Sequence, residues 1–449
     1  MVARLLMSRY PTSARTSSLR TAEFVCEFQV AFNWRGKVKM NPEVGRAVME
    51  ETNGRTKWRN RLEGAFSLAV IVLVGYSLFH SGMFSLKSPA AKGKGESEVT
   101  HLFPVCRGCS FKEFQYVGGE WGFIDNHGAL AIPLQFEYAL DFSDGLAAAK
   151  IGGKWGYIDE RGRFVIIPQF DFVNKFSEGL AAVKIGKAEG IIDKQGHFIV
   201  NPQFIYAADF TDGLSAVEVG DPDQSWDYKS GFIDHSGHYA ITPQFQEAYP
   251  FTDGLACVKL GDKWGFVDKQ GQFVIKPLFD QINAFNEGFA TVELGDKWGF
   301  VDKQGQFAIN PRFDNVRAFN EGLAGVKADG KWGFIGKDGN YVINPQFANV
   351  MYFSEERAPV EVGDKWGFIG KDGQFVTTPQ FVYVDEFSEG RAAVEVGDKW
   401  GFIDDKGNMV IAPNLVGVGG GTPGQFHDGL AFITPLLYID KSGAVVWPK

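Results

Sequence analysis

One 34-residue period governs most of this chain. A Trp-Gly pair, or its worn equivalent, sets Gly122, Gly156, Gly190, Gly231, Gly265, Gly299, Gly333, Gly367 and Gly401 in one phase, with successive gaps of 34, 34, 41, 34, 34, 34, 34 and 34. Trp precedes the Gly at Trp121, Trp155, Trp264, Trp298, Trp332, Trp366 and Trp400. A proline keeps step about twelve residues later, from Pro168 through Pro202 and Pro243 to Pro413. A tenth, worn copy puts Leu437 at the Gly position, ahead of Tyr438, Ile439 and Asp440. Segments this short cannot each bury their own apolar face, so neighbours must stack into one continuous core.

Within a unit the residue order predicts strands and tight turns. In the copy from Gly288 to Glu321, ATVEL alternates small or apolar with polar residues, and KWGFVD and QFAINPRF read as two further strands. Gly295-Asp296 suits a two-residue hairpin loop with Gly at the position needing positive φ, and Asp329-Gly330 serves the same turn in the next copy. Asp302 to Gly305 suits a type I turn closed by a left-handed Gly. Pro311 is expected to end the third strand, and FDNVRAFNEG to lead onward as a turn or short helical piece capped by Gly322. The fold expected is therefore an all-β repeat protein of ten units, each a three-stranded antiparallel meander. Thirty-four residues fit an open β-solenoid or superhelical array better than the blade of about 40 to 45 residues usual in a propeller. A closed, propeller-like ring is the alternative.

With KWGFVDKQGQFVIKP at Lys263 to Pro277 and FNEGLAGVK at Phe319 to Lys327, residues 112 to 449 resemble the WG, or KWG, repeat proteins. The resemblance implies a β-rich repeat module, common in bacterial proteins and often exported, with no general activity assigned and so no catalytic residue to carry over. The departures are local. Glu189 and Ser230 stand where Trp is usual, the fourth unit carries seven extra residues, and Glu356 replaces the Gly of the FSEG turn.

The remainder of the chain has a different composition. Residues 1 to 99 hold 15 Lys/Arg and 8 Asp/Glu, which leaves 45 − 15 = 30 basic and 54 − 8 = 46 acidic residues beyond, a head of +7 and a body of −16. An acidic body without a basic stripe excludes nucleic acid as a partner class. The apolar run Ala65 to Phe84 follows Arg55, Lys57, Arg59 and Arg61 and reads as a signal anchor spanning 64–85 as one transmembrane helix. Its basic flank keeps residues 1–63, a basic and disordered segment, in the cytoplasm and sends the repeats across the membrane. Residues 1–39 have no periodicity, and a start at Met40 or Met49 would give a more usual leader; residues 86–111 read as a linker.

Catalysis needs unlike residues that converge once, whereas a repeat supplies the same residue many times. No catalytic, cofactor-binding or metal-binding set stands out from the pattern. His235 and His238 are close in sequence but lack an evident further ligand. Cys106 and Cys109 form a lone CxxC, best read as a local disulfide in an oxidising compartment; Cys257 reads as a core residue. The phased Trp and Gly residues read as a core ladder, with a sugar-stacking platform as the rarer use. The expectation is a membrane-anchored binding or scaffold protein outside the cytoplasm, not an enzyme, its partner a protein or a cell-envelope polysaccharide. A glycan-acting enzyme or a plain structural spacer are the alternatives.

Overall fold

The computed structural model describes residues 101–112, 115–221, 228–416, 421–434 and 437–448, together with short backbone strands before residue 60. Two units are distinguished, Met1–Glu96 and Ser97–Lys449. In the first, the described backbone forms short antiparallel pairs, among them the hairpin of Ala47–Thr52 with Arg55–Arg59. The segment 64–85, expected as a transmembrane helix, lies outside the described residues. No described helix is long and apolar enough to cross a membrane.

In the second unit nine of the ten repeats form four strands, not three. Blade 6 shows why, with strands β1 (Gln281–Ile282), β2 (Phe289–Leu294), β3 (Lys297–Asp302) and β4 (Phe307–Phe313) paired in chain order. Leu294 pairs with Lys297 across the two-residue Gly295-Asp296 loop, and Gly295 has φ 65°, as a hairpin of this length requires. Between β3 and β4 the Asp302 carboxylate accepts hydrogen bonds from the N–H groups of Gln304 (3.0 Å) and Gln306 (2.8 Å), and Gly305 takes φ 79°. The connecting segment, expected as a turn or short helical piece, supplies the short first strand and a tight reversal. At that reversal Asn286 pairs with Phe289 around Glu287 and Gly288, both at positive φ (50° and 87°), the signature of a type I′ turn.

Proline does not end the ladder either. Pro311 lies inside β4, where Trp298 opposes Phe313 while Phe300 opposes Ile309, so the β4 side of the ladder carries two extra residues. A proline has no donor to offer, and the bulge is where that is tolerated. The extra backbone presses against Gly299. A Cβ there would sit 2.6 Å from the Ile309 carbonyl oxygen and 2.6 Å from the Pro311 nitrogen. The Gly of the Trp-Gly pair is thus a contact requirement between adjacent strands.

Ten such sheets follow one another, a three-stranded one and nine four-stranded ones. Blade 1 is built from Phe103–Arg107, Glu120–Ile124 and Leu130–Phe136, so the repeat unit begins within the stretch read as linker. Blades 2 to 9 occupy residues 138–170, 172–204, 206–245, 247–279, 281–313, 315–347, 349–381 and 383–415, and blade 10 begins at Phe426.

The apolar cores lie between blades. One cluster joins Trp332, Phe334, Ile343 and Phe347 of blade 7 to Val350, Phe353, Ala358 and Ile369 of blade 8, and the others repeat it. The aromatic residue after each Trp-Gly packs against the Phe of the next blade's turn, edge-on in Phe334–Phe353 with centroids 4.8 Å apart. The series closes on itself. Phe103, Val105 and Ile124 of blade 1 share a core with Leu430, Tyr438, Val446 and Trp447 of blade 10, and the Tyr438 hydroxyl donates to the Pro104 carbonyl at 3.0 Å. The expected open solenoid is therefore corrected to a closed ten-bladed ring. An open array would leave two apolar end faces to water, and here those two faces cover each other.

A polar clasp repeats around the ring beside the apolar seams. The acid of each tight turn occupies the left-handed region, a conformation that costs an L-residue about 1 kcal/mol or more, and its carboxylate reaches the following blade. Glu287 accepts from the Gly322 N–H at 3.0 Å and pairs with Lys337 at 3.1 Å; Glu389 does the same with Gly429 (2.9 Å) and Lys441 (3.0 Å). Ser354 and Ser388 add hydroxyl donation to the Phe387 and Phe426 carbonyls at 2.7 and 2.8 Å. Replacing Glu287 with Ala removes both acceptor contacts and leaves the Gly322 N–H unpaired. About 1–2 kcal/mol of stability should be lost, visible as a lowered thermal midpoint, with Glu287→Gln recovering part of it.

Candidate functional site

The stretch that leads from each blade's first strand into its tight turn carries chemically varied residues. Consecutive blades touch through these turns at direct hydrogen-bond distance, as where the Ser177 hydroxyl donates to the Phe210 carbonyl at 2.7 Å. Two residues lie just before the turn Phe of each blade. Around the ring these are Leu140-Asp141, Asn174-Lys175, Ala208-Asp209, Tyr249-Pro250, Asn283-Ala284, Arg317-Ala318, Met351-Tyr352, Asp385-Glu386 and Gly424-Gln425. The residues on either side hardly change: a small or branched apolar residue precedes the pair in blades 2 to 9, and Phe always follows. At these two positions the blades differ from one another, while the residues that flank them repeat.

Their side chains meet across blades. In one arc, the Asp385 carboxylate accepts from the Gln425 amide at 3.3 Å and Glu386 accepts from the Tyr352 N–H at 3.1 Å. The Arg317 guanidinium lies over the rings of Trp332 (5.2 Å) and Tyr352 (5.6 Å). Desolvation and then the neighbouring Asp385 carboxylate push Glu386 up to about 7, against the opposing pull of the Tyr352 N–H and the Arg317 charge. Desolvation also raises Asp385. Both carboxyls stay partly accessible to water. In a second arc, Lys175 approaches Asp209 at 4.0 Å and the Asn174 amide donates to the Ala207 carbonyl at 3.3 Å, with Asp209 raised by desolvation.

The residues singled out in the sequence sit elsewhere. Trp121, Trp264, Trp332, Trp366 and Trp400 are buried, and Trp155 and Trp298 half-buried, within the seams between blades. Tyr249 stacks on Trp264 with centroids 5.3 Å apart, and Tyr383 lies between Trp366 (5.8 Å) and Trp400 (6.2 Å). Gly122, Gly156, Gly190, Gly231, Gly265, Gly333, Gly367 and Gly401 all face the backbone of the next strand as Gly299 does. Glu189, in a Trp position, is buried and accepts from the Ala207 N–H of the next blade at 2.9 Å, so the irregular third unit replaces an apolar seam contact with a polar one. Cys106 and Cys109 are joined by a disulfide in blade 1, and Cys257 is buried, its thiol pushed well up by desolvation. His235 pairs with Glu178 at 2.9 Å and stacks on Phe210, while His238 meets the Ser236 hydroxyl; the two histidines do not converge.

Sequence reasoning passed over the paired positions before each turn Phe. The usable signal was variation at two adjacent columns set between nearly constant neighbours when the repeats are aligned with one another.

Ten antiparallel sheets, closed by first against last, define a β-propeller. The chain belongs to the family described as WG containing repeat, which matches nine consecutive segments: 121–155, 155–187, 190–221, 231–264, 264–298, 298–332, 332–366, 366–400 and 400–433. No curated protein matches the chain. Among solved structures it is similar to a eukaryotic initiation factor, with 12% identity, a TM-score of 0.44, and coverage of 69% of this chain and 95% of that one. The dihydro-heme d1 dehydrogenase NirN gives 11% identity and a TM-score of 0.33 over 62% and 75% of the two chains. PorZ, a surface component of the type-IX secretion system of Porphyromonas gingivalis, gives 12% identity and 0.24 over 74% and 56%. Similarity at these scores carries no inference about what the chain does.

Proposed function

We propose that this protein is a non-catalytic binding or scaffold module that works outside the cytoplasm, receiving a basic segment of a partner protein at the axis of the ring. The single observation behind this reading is the variety of residues at the two positions before each turn Phe, set between neighbours that hardly change. A spacer would have no use for different residues there, and a repeat used only for packing would keep them alike. The Asp385-Glu386 arc favours a cationic ligand, because two carboxyls held in each other's field and short of solvent gain most from an incoming positive charge. Export is supported by the basic-then-apolar run ending at Phe84 and by the Cys106–Cys109 disulfide, which suits an oxidising compartment.

Crosslinking in the native cell, followed by identification of the captured species, tests the reading. The paired change Asp385→Asn with Glu386→Gln should lower capture of the main partner at least ten-fold, whereas Lys276→Ala on an exposed strand position should not alter it. Equal capture by both variants would remove the axial site as the point of contact. The pH dependence has a definite sign. Glu386 is neutral below about 7 and charged above it, so capture should strengthen as pH rises from 6 to 8. For stability the sign is opposite. An acid raised in the folded state favours folding at low pH, and that contribution is lost as pH rises from the ordinary carboxylate range through 7.

A further inference from the structure

The closing seam differs from every other seam in its polar contacts. Of the nine turn acids, seven accept a backbone N–H from the following blade: Asp144, Glu178, Asp212, Glu287, Glu321, Glu355 and Glu389. Asp253 lacks that donor but pairs with Lys303 at 3.3 Å. Asp428, the acid of blade 10, faces a blade whose first strand begins only at Phe103 and which presents no such turn. Its carboxylate meets two imidazoles instead, His101 at 3.4 Å through Nδ1 and His427 at 3.3 Å through Nε2.

Those distances are too long for charge-assisted hydrogen bonds, which close to about 2.7–2.9 Å. They equal the edge of a tetrahedron of ligands about 2.0–2.1 Å from a central zinc, which is about 3.3 Å. One ligand atom from each of the three residues falls within 4.8 Å of the others. The His101 ring is oriented by contact with Phe103 at 4.8 Å and with His427 at 5.2 Å. All three groups keep part of their surface open to solvent, so an ion has a route in.

We propose that His101, His427 and Asp428 form a binding site for a divalent transition-metal ion, zinc by chemistry, that fastens the first blade to the last. Two neutral imidazoles and one carboxylate are a usual zinc donor set, with water in the fourth position. The ion would replace at this seam the backbone clasp that seven other seams possess. Because it would bind the closed ring and not the opened one, it should stabilise the folded chain by mass action.

Titration of zinc chloride into the full-length chain in detergent, followed by calorimetry and by thermal unfolding, tests this. One ion per chain should bind, and the thermal midpoint should rise with zinc concentration. His427→Ala and Asp428→Asn should each weaken binding at least ten-fold and abolish the rise, whereas His235→Ala should leave both unchanged. His427 is 72% exposed, so its loss does not endanger folding. Absence of stoichiometric binding overturns the proposal, as does binding that His427→Ala and Asp428→Asn leave intact. Loss of binding in His235→Ala alone would place the ion at the wrong seam and also overturn it.

Discussion

Excising one unit, residues 299–332, should destabilise this protein far more than a repeat protein of open form would suffer. The excision joins Trp298 to Gly333 and preserves every local sequence rule, so a linear array would lose one neighbour contact and persist. A ten-blade ring turns by 360°/10 = 36° per blade, and a nine-blade ring by 40°. The surviving seams must all repack by a few degrees, or one seam must open. Opening one exposes a cluster such as Phe103, Val105, Ile124, Leu430, Tyr438, Val446 and Trp447. At about 1.5–3 kcal/mol for each large side chain fully uncovered, the loss is on the order of 10 kcal/mol. A strongly lowered thermal midpoint and binding of a hydrophobic dye at ambient temperature are the expected readings. A shortened chain that stays monomeric and melts within a few degrees of its parent would show that closure contributes little.

Gly299→Ala should carry a large cost for a single methyl group, as should the equivalent change at Gly333 or Gly367. The new carbon would meet the Ile309 carbonyl oxygen and Pro311 nitrogen at 2.6 Å and the Asn310 carbonyl carbon at 2.9 Å, all of them backbone. Backbone inside a paired strand cannot swing away, so either the bulge flattens or Trp298 and Phe300 leave their partners. A loss of about 3 kcal/mol follows from overpacking of this kind. Gly295→Asn is the matched control, since Gly295 has positive φ but nothing within 4 Å, and Asn tolerates that conformation. Thermal midpoints measured at one scan rate should fall clearly for the first and little for the second. Equal midpoints would mean that the strand contact is slack.

The turns were legible in the sequence because each depends on one or two residues with sharp backbone preferences. Gly295-Asp296 and Asp302 to Gly305 form the reversals their residues dictate. The fourth strand was not legible. Gln281–Ile282 is two residues long, too short for any alternation, and Glu287-Gly288 resembles a helix end because Glu is rarely found in the left-handed region. What holds Glu287 there is its bond to a different blade, a contact 35 residues away that no local window contains. Closure was hidden for a related reason. Phe103–Arg107 carries no Trp-Gly phase, and the tenth copy is worn at the residues that define the repeat. Strand number per blade, and with it the choice between ring and array, rested on those weakest segments.

The clasp of each turn acid has a further consequence. In every instance the carboxylate belongs to one blade and the N–H or ammonium to its successor, never the reverse. Lys297 and Asp314, 2.6 Å apart near the Gly-Asp turns, form the complementary contact at the other ends of the strands. The circle therefore has a handed sense, like a ratchet wheel, and its top and bottom are not interchangeable. A molecule approaching from one side meets acids already engaged by their neighbours, and from the other meets a rosette of lysine–aspartate pairs. Any companion, including a second ring, must select a side, and two rings lying back to back would turn in opposite directions.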